Sequence, residues 1–169
     1  MPNSSDPKAV RTALERAQDA FEIVGSGRTE FEKGISADAD WKTQLMKACR
    51  LLEVVETLQS QDEYYTAVIE VCFGGIERSI EAYALSMSNN TLQDFQDHQF
   101  SYEPARQIWL FEKDTAEEMK NLYSENRTES YYRGGRLTEE QATAMTDLAT
   151  AGHRFSVNQI QEGGVCLCD

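Results

Sequence analysis

Apolar residues recur at three- and four-residue steps over five stretches of the chain, and no stretch shows a convincing apolar–polar alternation. The pattern therefore predicts helices and no strands. In the first stretch, residues 7–24, Val10, Ala13, Leu14, Ala17, Phe21 and Val24 share one face. Asp6 is a good N-cap there, and Pro7 suits the first helical position, where its missing N–H costs nothing. The second stretch, 37–58, carries Trp41, Leu45, Ala48, Cys49, Leu52, Val55 and Leu58. Ser36 is its expected cap, with Asp38 and Asp40 in the favourable negative first turn. The third is expected to start at a capping box, Ser60 with Glu63, and to run to about residue 87. It is apolar over much of its circumference, which makes it the central helix. Gly74 and Gly75 each cost roughly 1 kcal/mol against alanine inside a helix, so another helix, or a ligand, is expected to come close there.

A polar loop follows, with one short helical turn expected in TLQDFQD. The fourth stretch, 104–126, places Ile108, Phe111, Thr115, Met119 and Leu122 on its inner face. The fifth opens on a second capping box, Thr138 with Gln141, and continues through Ala142, Met145, Leu148, Ala149, Gly152 and Phe155. Long amphipathic helices with short connections give an all-α antiparallel bundle of about five helices. It is expected as one domain over residues 1–158, with a flexible C-terminal tail over 159–169.

The chain of 169 residues can bury a real core. Its formal net charge of −13 favours solubility, suits a salt-rich cytoplasm, and repels a nucleic-acid backbone except where basic side chains cluster. No segment approaches the ~18 consecutive apolar residues of a membrane span, and MPNSSDPKAV lacks the pattern of a secretory signal. A cytoplasmic protein without a membrane association is the expectation. Of the four cysteines, Cys49 and Cys72 fall in apolar helical patterns and are expected as small buried hydrophobes. Cys166 and Cys168 form CLCD at the end of the chain. Zinc wants about four ligands and no second pair lies nearby in sequence, so exposed tail thiols are expected there.

The sequence contains no phosphate-binding glycine loop, dinucleotide turn, HExxH pair or nucleophile elbow. A di-iron bundle needs a Glu-x-x-His pair on each of two helices, and neither His98 nor His153 has a glutamate three residues before it. No metal and no cofactor is expected. His98 reads as a solvated loop residue, and His153 as a cation at the end of the last helix.

One local cluster stands out, SENRTESYYRGGR at 124–136. Asn126, Arg127, Arg133 and Arg136 concentrate donors and positive charge in an acidic chain. An arginine fork suits phosphate or carboxylate, and Tyr131 and Tyr132 add stacking faces and hydroxyls. The same residues can instead close the helix end and pair with Glu125, Glu129, Glu139 or Glu140.

The run DEYYTAVIEVCFGGIERSIEAYALSM followed by NLYSENRTESYYRGGRLTEEQATAMTDLA resembles the HEPN superfamily of small all-helical domains, over about residues 60–155. The resemblance matches Glu77 to a central glutamate on a tyrosine-rich helix, and ENR to an arginine motif before the last helix. It implies a homodimeric module that binds a protein partner, such as a nucleotidyltransferase, or RNA or a nucleotide, in a toxin–antitoxin setting. Many members are metal-independent ribonucleases using an arginine and a histidine a few residues on. Here Arg127 is followed at that distance by Tyr132, Arg133 and Gly134. Tyrosine is a poor general base near neutral pH. The expected function is therefore a non-enzymatic HEPN-like module, with Asn126, Arg127, Tyr131, Tyr132, Arg133 and Glu77 as binding residues. The alternatives are a ribonuclease with Arg127 and His153 as catalytic residues, and a structural or adaptor bundle.

Overall fold

The computed structural model describes residues 7–22, 35, 38–61, 63–95, 110–132 and 136–160, without the side chains of residues 7, 8, 22 and 127–132. The chain forms two compact units, Met1–Lys33 and Gly34–Asp169. The first holds α1 (Pro7–Glu22), with an Arg11–Glu15 ion pair one turn apart on its surface. Its predicted apolar face is present but bare, since Val10, Leu14 and Phe21 are all exposed. Asp6 and Val24 lie outside the described residues.

The second unit contains α2 (Asp40–Gln59), α3 (Tyr65–Met87), α4 (Lys113–Tyr132) and α5 (Glu139–Gln159). The described residues contain no strand. Helix α3 packs against both α2 and α5 and has buried residues on all sides, from Val68 and Ile69 to Tyr83 and Ala84. It is the central element, as its apolar circumference requires. Tyr123 on α4 and Phe73 on α3 pack edge to face at 5.1 Å between centroids. At the other end of α4, Phe111 stacks on Phe155 of α5 at 5.6 Å.

The paired glycines have the expected cause. A Cβ on Gly74 would meet Leu51 Cδ1 at 3.4 Å, and one on Gly75 would meet Leu52 Cδ2 at 3.5 Å. Helix α2 crosses α3 there. The start of α3 differs from expectation. Ser60 ends α2 instead of opening α3: its N–H donates to Glu56 O and its hydroxyl to Thr57 O. Glu63 then turns the chain with φ of 78°, in the left-handed region, and α3 begins at Tyr65. The second capping box is present as read. The Gln141 N–H donates to Thr138 Oγ1, and the Thr138 N–H donates back to Gln141 Oε1. TLQDFQD supplies a short 3-10 helix, Leu92–Phe95, with Asp94 accepting from the Thr91 N–H.

Helix α4 is also shifted from its reading. Leu110 to Glu112 precede it without being helical, and it continues past Asn126 to Tyr132. Its buried face is Ala116, Met119 and Tyr123, while Thr115 and Leu122 are exposed. Ile108 lies outside the described residues. On α5, Ala142, Met145, Ala149 and Gly152 are buried as read.

Candidate functional site

Successive helices of the second unit alternate in direction, so the end of α2, the start of α3 and the start of α5 come together. They enclose a cleft of about 190 Å³ lined by Gln59, Tyr64, Tyr65, Val68, Glu139 and Thr143. Cavities that enclose small organic ligands run to about 300–1,000 Å³. This one admits a side chain or a few waters, and Glu139 on its rim disfavours a phosphate.

Helix α4 ends at Tyr132, and α5, whose start lines this cleft, begins at Glu139. Asn126 therefore sits inside the last part of α4, well before its end, which corrects the reading of ENR as a helix terminus. The Oδ1 of Asn126 is buried and has no hydrogen-bond partner among the described residues. Positions 127, 131 and 132 are helical and Arg136 is exposed. The side chains of Arg127, Tyr131 and Tyr132, together with Arg133 and His98, lie outside the described residues. Glu77 is 4 % exposed on α3.

A second cluster lies within the core and joins three helices. Ser79 of α3 donates its hydroxyl proton to the Gly75 carbonyl at 2.8 Å. Its oxygen lies 2.9 Å from Nδ1 of His153 on α5. With the hydroxyl proton already committed, that contact is Nδ1–H donating to Ser79, so the Nε2 lone pair is left pointing away from Ser79. There it faces the Sγ of Cys49 on α2, 3.5 Å away. His153 is 1 % exposed and lies well inside α5, so it is not the helix-end cation that its position suggested. Burial, and then the positive charge of Arg154, push its pKa down from 6.5 to about 4. It is a neutral imidazole at neutral pH, out of reach of a bulky substrate.

Cys49 is buried as read, but it is disulfide-bonded, which its place in an apolar stripe did not reveal. Cys72 is a free buried thiol beside Thr146, and burial raises its pKa to about 11 against the opposing Thr146 contact. It is inert packing. Cys166 and Cys168 lie outside the described residues. Among the described residues, no three His, Cys, Asp or Glu side chains group closely enough to hold a metal ion. No described helix is long and apolar enough to cross a membrane.

The architecture defines an all-helical bundle protein whose polar features sit at one end and in one buried node. Residues 5–168 match the family described as Domain of unknown function (DUF8154), and the chain belongs to that family. The matched span includes Cys166 and Cys168, so the cysteine pair falls within the family domain. No curated protein and no solved structure matches the chain.

Proposed function

We propose that the protein is a non-enzymatic, HEPN-like binding module of the cytoplasm that works as a homodimer. The segment from Asn126 to Arg133 contacts a protein partner or the phosphate of a nucleotide. The observation that carries this reading is the buried Asn126 Oδ1, an acceptor that has no hydrogen-bond partner among the described residues and is left for a donor on the partner. A purely structural bundle gains nothing by retaining it, since an unsatisfied buried acceptor costs about 1–3 kcal/mol. Beside it in sequence, Arg127 supplies the fork for an anion. Glu77 is buried on the central helix, and the resemblance matches it to a glutamate of that family. The small, acid-rimmed cleft favours a surface contact over an enclosed ligand. A nucleotidyltransferase-type protein in a toxin–antitoxin setting is the partner that the resemblance suggests.

The ribonuclease alternative draws no support from His153, which is neutral, buried and engaged with Ser79. The test combines light scattering of the reduced full chain with calorimetric titration of a nucleoside triphosphate. A dimer, with binding lost in Arg127→Ala, is the expected result. A monomer at high micromolar concentration would remove the dimer. RNA cleavage abolished by Arg127→Ala would replace the binding reading with the enzymatic one.

A further inference from the structure

Helix α1 carries its largest apolar side chains on the outside. Val10, Leu14 and Phe21 are 67 %, 57 % and 82 % exposed, and Ala13 and Ala17 are exposed between them. Residues 10, 14, 17 and 21 are spaced by four, three and four, the step of a coiled-coil seam. They fall within about 60° of the helix circumference at 3.6 residues per turn. A helix that lies on lipid has a broad apolar face opposite a face rich in Lys and Arg, whereas a stripe this narrow fits one other helix. A helix of 16 residues is also marginal in water without tertiary packing, so the surface that covers the stripe helps to hold α1 helical.

The charges identify that other helix. Lys8, Arg11 and Arg16 balance Glu15, Asp19 and Glu22, so α1 is neutral in a chain of net charge −13. Two copies that repel each other elsewhere can meet here. A neutral helix has no electrostatic pull toward an anionic lipid surface. The order of the charges adds a direction. Residues 7–14 hold two basic residues and no acidic one, and residues 15–22 hold three acidic residues and one basic. A helix standing alone favours the reverse, acids at its start and bases at its end, yet α1 has no acid in its first turn and no base in its last. Within one helix the order is a cost. Against an antiparallel second copy it becomes a match, because each basic half lies along the other's acidic half. A parallel pair would set like charges side by side.

We propose that α1 is the contact between two copies of the chain, an antiparallel helix pair on a two-fold axis with Val10, Leu14, Ala17 and Phe21 in its seam. This deepens the homodimer proposed above and rests on that reading. With Val10 of one copy opposite Phe21 of the other, Leu14 meets Ala17, so each bulky side chain faces a smaller one. The pair is about 24 Å long, 16 residues at 1.5 Å each. That is a small contact by the standard of permanent dimers, so the dimer dissociates at micromolar concentration.

The experiment is sedimentation equilibrium of the full chain over the micromolar range, with reductant present to exclude disulfides between chains. The wild type should show a monomer–dimer equilibrium. The double variant Leu14→Glu with Phe21→Glu should weaken it by about tenfold or more, since it sets unpaired charges in the seam. Both residues are exposed in the single chain and lie outside the core, so the second unit keeps its fold. Asp19→Lys should weaken the dimer a few-fold. The new lysine can pair with Glu15 one turn away and is a cation near the helix end, and both effects favour the isolated helix, so a weaker dimer there reports on the pairing itself. A tighter dimer in Asp19→Lys overturns the antiparallel arrangement. An undiminished dimer in the double variant overturns the α1 contact and leaves the homodimer standing. A wild-type chain that stays monomeric overturns both. Cosedimentation of the wild type with anionic phospholipid vesicles, lost in the double variant, would make a lipid surface the occupant and overturn the pairing.

Discussion

The end of α4 and the Cys49–Ser79–His153 node are both polar, but they are built in opposite ways. The first is contiguous in sequence and conspicuous there. It contains a buried acceptor, Asn126 Oδ1, that the fold leaves without a partner. The second is assembled from three helices across separations of 74 and 104 residues, and its contacts form a chain from the Gly75 carbonyl through Ser79 and His153 to Cys49. A hydrogen bond such as that of His153 to Ser79 rigidifies a core, whereas an unsatisfied group is a cost that folding alone does not explain. The contrast predicts opposite responses to removal of the two polar groups.

The largest effect should come from titrating His153. The folded state holds it neutral down to about pH 4, while the unfolded chain takes up a proton near 6.5. The stability that this contributes is complete above the unfolded value and is lost as pH falls from about 6.5 to about 4. The full loss is about 3 kcal/mol. Urea midpoints at pH 7 and pH 4.5 should diverge by less in His153→Gln than in the wild type. Equal divergence would mean that the imidazole is protonated within the fold.

Ser79→Ala comes next. It strips the imidazole N–H of its acceptor inside the core and should cost about 1–3 kcal/mol by denaturant unfolding. Asn126→Ala removes a polar group of similar size and should do the reverse, raising stability by about 1 kcal/mol through relief of the orphaned acceptor and better helix propensity. If both variants destabilise alike, the distinction between the two regions fails. The smallest effect is expected at Gly152, one residue before His153. No described atom comes within 4 Å of where its Cβ would lie, so Gly152→Ala should gain up to about 1 kcal/mol. A loss there, read from the same urea curves, would indicate that the position is more crowded than the described residues make it.

How far these regions could be read from sequence depended on the range of the interactions that define them. The box at Thr138 and Gln141 was legible because its hydrogen bonds close within one turn. The same spacing at Ser60 and Glu63 misled, because a serine hydroxyl closes a helix as readily as it opens one, and here it bonds back to Thr57. Helix α4 slipped by one position because Thr115 and Leu122 fit the period as well as Ala116 and Tyr123 do, and only packing against Phe73 separates them. Periodicity placed His153 near a fading end. It had no means of registering Ser79 and Cys49, which arrive from other helices. The resemblance drew attention to the α4 end for its residue types, and it gave no role to Ser79 or Cys49.

The close crossing of α2 on α3 bears on the order in which the molecule assembles. Residues 60–64 alone separate these helices, and Leu51 and Leu52 lie directly against Gly74 and Gly75. Closing so short a loop is fast, whereas α5 must find α3 across more than fifty residues of intervening chain. The α2–α3 hairpin is therefore the expected nucleus of the rate-limiting step, with α5 docking afterwards. Truncating Leu52 should slow refolding, and truncating Met145 should chiefly hasten unfolding. On this route His153 reaches α2 and α3 only in the final docking, so its hydrogen bond to Ser79 is among the last contacts to form.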